Sequence, residues 1–245
     1  MSIGTFVFEF ATTGLARIAA SAGAEFLVLD REHTGHGTDA VRIFLASARS
    51  APIVPFVRVP AVDPHAVAAA LDLGALGVMV PMVQNAEQAR LVAGAARYPP
   101  IGRRGFGVLF VDEHGGDVPR YMEEMNREVA VIVQIESTEA LQNVDQIAAV
   151  AGADVLWIGQ YDLTTSLGIP GQFDHPDFDA ALRTVVSACE RRGKAAGMAT
   201  DSVEDAERLL ERGFRLLAYG HDITLYRRAL GDGVARLRAR RGPGA

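Results

Sequence analysis

Two short apolar runs in this 245-residue chain end in carboxylates: Val133-Gln134-Ile135-Glu136-Ser137 and Trp157-Ile158-Gly159-Gln160-Tyr161-Asp162. Glu136 and Asp162 stand one βα unit apart. In a barrel of parallel strands, residues just past neighbouring strand ends converge on one face. Two such carboxylates offer the hard oxygen ligands that suit a divalent cation. A closed structural zinc site would want four Cys and His ligands instead, and that set is absent. Polar residues close two further apolar runs: Asp30-Arg31-Glu32-His33 follows Leu27-Val28-Leu29, and Arg58 follows Phe56-Val57. At the C-terminal ends of barrel strands such residues read as catalytic, and at the opposite ends as stabilising. Each also has a plainer use. Glu136 could interact with a helix N-terminus, Asp162 could cap a turn, Arg58 could be a buried ion-pair partner of Asp30, and His33 could be an ordinary loop histidine.

Eight apolar runs must position these groups, at residues 4–8, 25–30, 53–58, 76–80, 129–136, 154–158, 194–199 and 215–219. They alternate with helical patterns, which argues for βα units and a parallel sheet. Apolar residues at three- and four-residue spacing mark helices over 64–73, 86–96, 139–149, 178–192 and 202–212. Ser137-Thr138-Glu139 and Asp201-Ser202-Val203-Glu204 carry helix-start chemistry, with an acid in the first turn. Gly193 and Gly213 suit left-handed C-terminal caps. No linker or composition shift divides the chain. The expectation is one α/β domain over residues 1–245, a single (β/α)8 TIM barrel near the usual ~250 residues. The longest irregular stretch, 96–119, precedes a short helix at 120–127. A loop of that length is usually functional, and Phe106, Val108, Leu109 and Phe110 argue against simple disorder, so an active-site loop is expected. Its Asp112, Glu113, His114 and Asp117 are candidates for contact with a polyhydroxylated or cationic substrate, against a solvated loop or subunit contact.

Composition narrows the function classes. A net charge of −6 argues against nucleic acid as the main partner, because no basic face is implied. The cluster from Arg236 to Arg241 reads as a solvated helix end. No run of roughly 18 apolar residues is present, so no membrane span is expected. The N-terminus lacks the basic start and apolar core of a signal peptide, which makes cytoplasm the expectation. Cys189, the single cysteine, cannot form an internal disulfide and sits in a helical pattern, where a nucleophilic role is not expected. Lys194 is the single lysine. It opens a strand, which puts it at the stabilising end of the barrel, so Schiff-base chemistry is disfavoured.

The ordered set Asp30-Arg31-Glu32-His33, Arg58, Tyr98-Pro99-Pro100-Ile101-Gly102-Arg103-Arg104-Gly105, Gln134-Ile135-Glu136-Ser137 and Gly159-Gln160-Tyr161-Asp162-Leu163 closely resembles the HpcH/HpaI aldolase family. Those are metal-dependent class II pyruvate aldolases related to the citrate lyase β-subunit. The resemblance implies Glu136 and Asp162 as ligands of Mg2+, Mn2+ or Co2+, with water and a 2-oxo acid filling the other positions. It implies Arg58 as the group that binds the oxo oxygen and stabilises the enolate. It makes His33 the general acid/base and Asp30 the carboxylate paired with it. Gln134, Gly159, Gln160, Tyr161 and Ala199 would line the substrate pocket. The implied reaction is reversible cleavage of a 4-hydroxy-2-oxo acid to pyruvate, or a related 2-oxo acid, and an aldehyde through a metal-stabilised enolate. A homohexamer, a trimer of dimers with the C-terminal helix packed on a neighbour, is also implied. Ile223, Leu225, Tyr226, Leu230, Val234 and Leu237 form an apolar stripe compatible with that packing or with covering their own barrel.

The chemistry accounts for these residue types. A cation chelated by substrate oxygens acts as a Lewis acid, an arginine is a fixed donor for the oxyanion, and an imidazole can exchange the 4-hydroxyl proton. The chain departs from the family's usual Gly-Pro-Ala-Asp or Gly-Pro-Ser-Asp at Gln160-Tyr161, in the loop after Gly105, and at Ala199, where some relatives have a larger apolar residue. These departures leave the second substrate open. One alternative is a citrate-synthase-like enzyme that condenses the enolate with a thioester. A catalytically silent barrel and a phosphosugar isomerase fit less well. His175 reads as a loop-shaping residue, and His221-Asp222 as bordering a neighbouring subunit's site.

Overall fold

The computed structural model describes residues 1–240. Its eight strands are β1 (Ser2–Val7), β2 (Phe26–Asp30), β3 (Val54–Arg58), β4 (Gly77–Val80), β5 (Ala130–Ile135), β6 (Val155–Ile158), β7 (Ala195–Thr200) and β8 (Leu216–His221). All neighbours pair in parallel, and β8 closes on β1 in a complete barrel. The eight apolar runs read from sequence are these strands, with ends shifted by one or two residues. Period-two alternation separates their two faces. Leu27, Leu29, Val57 and Val78 point outward into the layer shared with the helices. Phe26, Val28, Phe56 and Met79 fill the barrel interior. Large and small side chains interlock there: a Cβ on Gly77 would stand 2.7 Å from the Phe56 ring, and one on Gly197 would overlap the Trp157 ring. The interior is thus packed solid below its mouth.

Helices α1 (Leu15–Ser21), α2 (Thr38–Ala48), α3 (Pro64–Asp72), α4 (Ala86–Ala96), α5 (Val118–Glu128), α6 (Thr138–Gln142), α7 (Val144–Ala148), α8 (Gln160–Ser166), α9 (Pro176–Arg192), α10 (Val203–Glu211) and α11 (Asp222–Ala239) complete the chain. Ser137 and Ser202 cap α6 and α10 through their side chains, as their positions imply. Gly193 ends α9 in the left-handed region at φ 64°. The helix expected over 139–149 is broken at Asn143, whose side-chain amide donates to the Gln84 carbonyl at 3.0 Å. That bond ties the break to the loop after β4. None of the helices among the described residues is long and apolar enough to cross a membrane.

The long loop corrects the sequence reading. It leaves the end of α4 and stays at the N-terminal ends of the strands, opposite the strand ends that carry the candidate residues. Arg104 pairs with Asp72 at the end of α3 at 2.6 Å, the Arg49 guanidinium lies 3.9 Å over the Phe110 ring, and Glu113 bonds Arg49. His114 engages Glu124 of α5 at 2.5 Å. None of Asp112, Glu113, His114 or Asp117 reaches this chain's own cavity at the barrel mouth. Sequence length and apolarity flagged the loop but carried no signal for which end of the barrel it covers. Lys194, as expected, lies at that same stabilising end, where its ammonium donates to the carbonyls of Val150, at 2.7 Å, and Ala153.

The C-terminal helix α11 meets its own barrel through its first two turns, where Tyr226 packs on Phe10 and Arg228 bonds Tyr219 and the Asp201 carbonyl, and is otherwise largely exposed. Asp222 is its one buried residue, and Ile223, Tyr226, Leu230 and Leu237 are exposed. Arg236 and Arg238 sit in its last turn, consistent with a solvated end. Arg241 lies outside the described residues.

Candidate active site

The β2–β3 register sets Asp30 beside Arg58, each the last residue of its strand. Arg58 Nε donates to Asp30 Oδ1 at 2.6 Å, and its Nη1 lies 3.1 Å from Glu32 Oε2. Asp30 is fully buried and also accepts the backbone N–H groups of Glu32 and His33, both at 3.0 Å. One carboxylate therefore fixes both the guanidinium and the turn that carries His33. The Phe6 and Phe8 rings flank the guanidinium, with centroids at 5.3 and 5.8 Å, a favourable setting for a cation.

Asp30 thus meets the main chain of His33, not its ring as the resemblance implied. The imidazole Nε2 is 3.6 Å from Glu32 Oε2, and the side chain stands at the rim, 59% exposed. The sequence reading quoted Glu32 within its motif and gave it no task. Burial raises the Glu32 carboxyl above its ordinary range; Arg58 pulls it down, while Asp30 and Asp162 push it up.

Glu136 follows the last residue of β5 and is buried. Its Oε1 accepts the Met82 N–H at 2.5 Å and its Oε2 accepts Gln134 Nε2 at 2.6 Å. Met82 has φ 53°, the one positive φ at a non-glycine residue among the described residues. That left-handed conformation is unfavourable for an L-residue and is typical of functional sites. Here it aims an N–H at the carboxylate. Gly159, just past β6, makes room on the other side, since a Cβ there would overlap Glu136 Oε2. Burial raises the Glu136 carboxyl, the bonds from Met82 and Gln134 oppose the rise, and Glu32 and Asp162 add to it. Asp162 sits in the first turn of α8.

Three carboxylates therefore repel one another across the mouth, and a hard divalent cation would relieve that repulsion. The residues fit such an ion: an all-oxygen donor set, with space opened by Gly159. Among the described residues no three His, Cys, Asp or Glu side chains converge to enclose a metal by themselves. Glu136 and Asp162 could supply only part of its shell, which leaves positions for water and substrate.

Glu136 and Asp162 share one cavity of about 260 Å3 with Arg58 and His33. Nine of the ten residues expected from sequence line it; the tenth, Asp30, backs Arg58. Sequence reasoning missed Phe6, Phe8, Trp157 and Thr200. For the two phenylalanines the signal was present, because they share a parity along β1. His221, expected near a neighbour's site, lines this chain's own cavity, and its ring meets Phe8 edge-on at 5.0 Å. Asp222 beside it accepts backbone N–H groups from Phe8, Glu9 and Phe10 at 3.0, 2.9 and 2.6 Å. His175 caps α9, the loop-shaping use anticipated for it.

The sequence profile of the family described as HpcH/HpaI aldolase/citrate lyase matches residues 3–229. The chain belongs to this family. It is 37% identical over 228 residues to the hydroxypyruvate/pyruvate aldolase of Chromohalobacter salexigens, covering 93% of this chain and 90% of that protein. It is 39% identical over 214 residues to the 4-hydroxy-2-oxo-heptane-1,7-dioate aldolase of Klebsiella pneumoniae, covering 87% and 81%. The crystal structure of an HpcH/HpaI aldolase from Desulfitobacterium hafniense superposes with a TM-score of 0.93 at 31% identity, covering 99% of this chain and 94% of that one. The Tyr161 ring packs edge-on against Phe173 with centroids 5.1 Å apart.

Proposed function

We propose that this chain is a divalent-metal-dependent aldolase that reversibly cleaves a 4-hydroxy-2-oxo acid to pyruvate, or a related 2-oxo acid, and an aldehyde. The names of its relatives support the reaction class. The observation that carries the reading is the convergence of Glu136, Asp162, Arg58 and His33 on one cavity at the barrel mouth. In the cleavage direction His33, at the rim, takes the proton of the 4-hydroxyl. The oxygen's electron pair closes the aldehyde carbonyl as the C3–C4 bond breaks, and the pair from that bond becomes the enolate double bond. Arg58 is held by Asp30 and Glu32 in one orientation, so its remaining N–H donors meet the oxyanion without reorganisation. A proton returned to C3 from His33, directly or through water in exchange with it, completes pyruvate and restores the imidazole. Glu136 and Asp162 would hold Mg2+, Mn2+ or Co2+, which when bound supplies Lewis-acid stabilisation of the developing charge. Met82, Gln134 and Gly159 keep the Glu136 carboxylate in place.

The exposed apolar side of α11 supports a homo-oligomer, which we read as the hexamer implied by the resemblance; light scattering of the purified protein tests it. The chemistry is tested by proton exchange at the pyruvate methyl group in deuterated water with Mn2+ or Mg2+, repeated with chelator and with Glu136→Ala. Exchange that needs both metal and Glu136 supports the reading. Absence of exchange under every metal counts against it.

A further inference from the structure

A second cavity, of about 330 Å3, adjoins the catalytic one, and Gln160, Tyr161, Ala199, Thr200 and Asp201 line both. The two adjoin at the C-terminal end of β7, around Thr200 and Asp201. One wall is aromatic: Tyr161 meets Phe173 edge-on, and Phe173 continues to Phe178 at 5.8 Å. The floor is apolar and buried, made of Phe178, Leu182, Met198 and Leu209. Tyr161 and Phe173, by contrast, are 62% and 39% exposed, so two aromatic faces stand in water beside the reacting centre. Such faces gain free energy when another ring covers them.

The charges around this cavity decide what else could bind. Arg208 is paired with Asp205, and Arg212 with Asp179 at 2.7 Å. Asp174 and Asp201 also line it and have no ion-pair partner among the described residues. A carboxylate placed here would meet Asp174, Asp201 and Asp205, against two guanidiniums already engaged, Arg208 by Asp205 with Asp174 nearby and Arg212 by Asp179, and like charges at close range repel. An uncharged ring meets neither penalty. The space suffices, since a cavity of about 150 Å3 already holds benzene.

We propose that this second cavity is the subsite for the substituent of the aldehyde, and that it takes an uncharged aryl group stacked on the Tyr161–Phe173 pair rather than a carboxylate-terminated chain. The proposal rests on the aldolase reading of the first cavity. It assigns Tyr161 and Phe173 as specificity-determining residues.

The test compares aldol addition of pyruvate, with Mn2+, to phenylacetaldehyde, glycolaldehyde and succinic semialdehyde. A cavity contact of this kind is worth roughly tenfold or more in discrimination, so kcat/KM for phenylacetaldehyde should exceed that for succinic semialdehyde by about that factor. Phe173→Ala removes one face of the pair and Tyr161→Ala the other, and each should lower the phenylacetaldehyde-to-glycolaldehyde ratio of kcat/KM about tenfold. Phe173→Leu, which keeps an apolar side chain at that position, guards against misfolding and should lower the ratio less. Equal or better use of succinic semialdehyde by the native enzyme, or a ratio unmoved by these substitutions, overturns the proposal. Methyl-proton exchange in the same native sample separates the two readings. Exchange without aryl preference removes only the subsite, whereas no exchange removes the aldolase reading and the subsite with it.

Discussion

Replacing Gly159 by alanine isolates the packing that holds Glu136. The backbone tolerates the change, because φ is −84° at this position, so any effect comes from the added methyl group. That carbon would overlap Glu136 Oε2, stand 2.8 Å from the Glu136 Cβ and 3.1 Å from its Cδ. Contact so near the side chain's root cannot be relieved by swinging the carboxylate tip alone. The side chain must shift by about an ångström, and a misplacement of that size costs about 100-fold in rate. Both hydrogen bonds to the carboxylate, from Met82 at 2.5 Å and Gln134 at 2.6 Å, weaken together. Bonds to charged groups contribute about 1.5–3 kcal/mol each, so partial loss of the two should lower folding stability by about 2–4 kcal/mol. Gly105→Ala is the control, since a Cβ there has nothing within 4 Å. Calorimetric titration with Mn2+, the pyruvate exchange rate and urea unfolding read the three consequences. If Gly159→Ala binds Mn2+ and exchanges pyruvate as the Gly105→Ala control does, the constraint on Glu136 argued from the structure is wrong.

Three further outcomes follow from buried charges and thiols. Asp30→Ala strands the Arg58 guanidinium beside Glu32 alone, and breaking a buried pair costs about 3–5 kcal/mol, which denaturant unfolding measures. An unchanged midpoint would mean that Glu32 alone compensates Arg58. Because Lys194 is the one lysine in the chain, 13C labelling at its ε carbon yields a single resonance. Burial holds that ammonium below its ordinary 10.5, so the resonance should titrate below that value, while borohydride with pyruvate traps no adduct. A trapped adduct would revive imine chemistry. Burial pushes the Cys189 thiol up to about 11 from 9.0, so the native protein should resist a thiol reagent at pH 8. The fold retains this proton where the unfolded chain loses it, so the thiol's contribution to stability is present below about 9 and falls as pH rises toward 11. Thiolate absorbance appearing near pH 9 in the folded protein would contradict its burial.

Much of the site was legible because barrel geometry links sequence position to spatial position. A polar residue that ends an apolar run lies at the barrel mouth, which is how Asp30, Arg58 and Glu136 could be named before any coordinates. Parity along a strand fixes which face a residue takes, so Phe6 and Phe8 were readable in principle. The contacts among these residues were not. Asp30 reaches the His33 backbone rather than its ring because the 30–33 turn curls around the carboxylate, and turn geometry of that kind leaves no periodic trace. The φ of Met82 left none either, since no glycine or asparagine marks the position.

The sequence by itself determined eight strands, their order, the faces they bury and the residues at their ends, because periodicity and punctuation are local and the closed barrel repeats one unit. Only the tertiary structure decided where the 97–117 loop lies, which carboxylate Arg58 clasps, how Gly159 admits Glu136, and that α11 stands off its own barrel beyond its first two turns. Those features depend on contacts between segments far apart in the chain, whose free energies come from shape and charge meeting in space, and no spacing along a single segment encodes them.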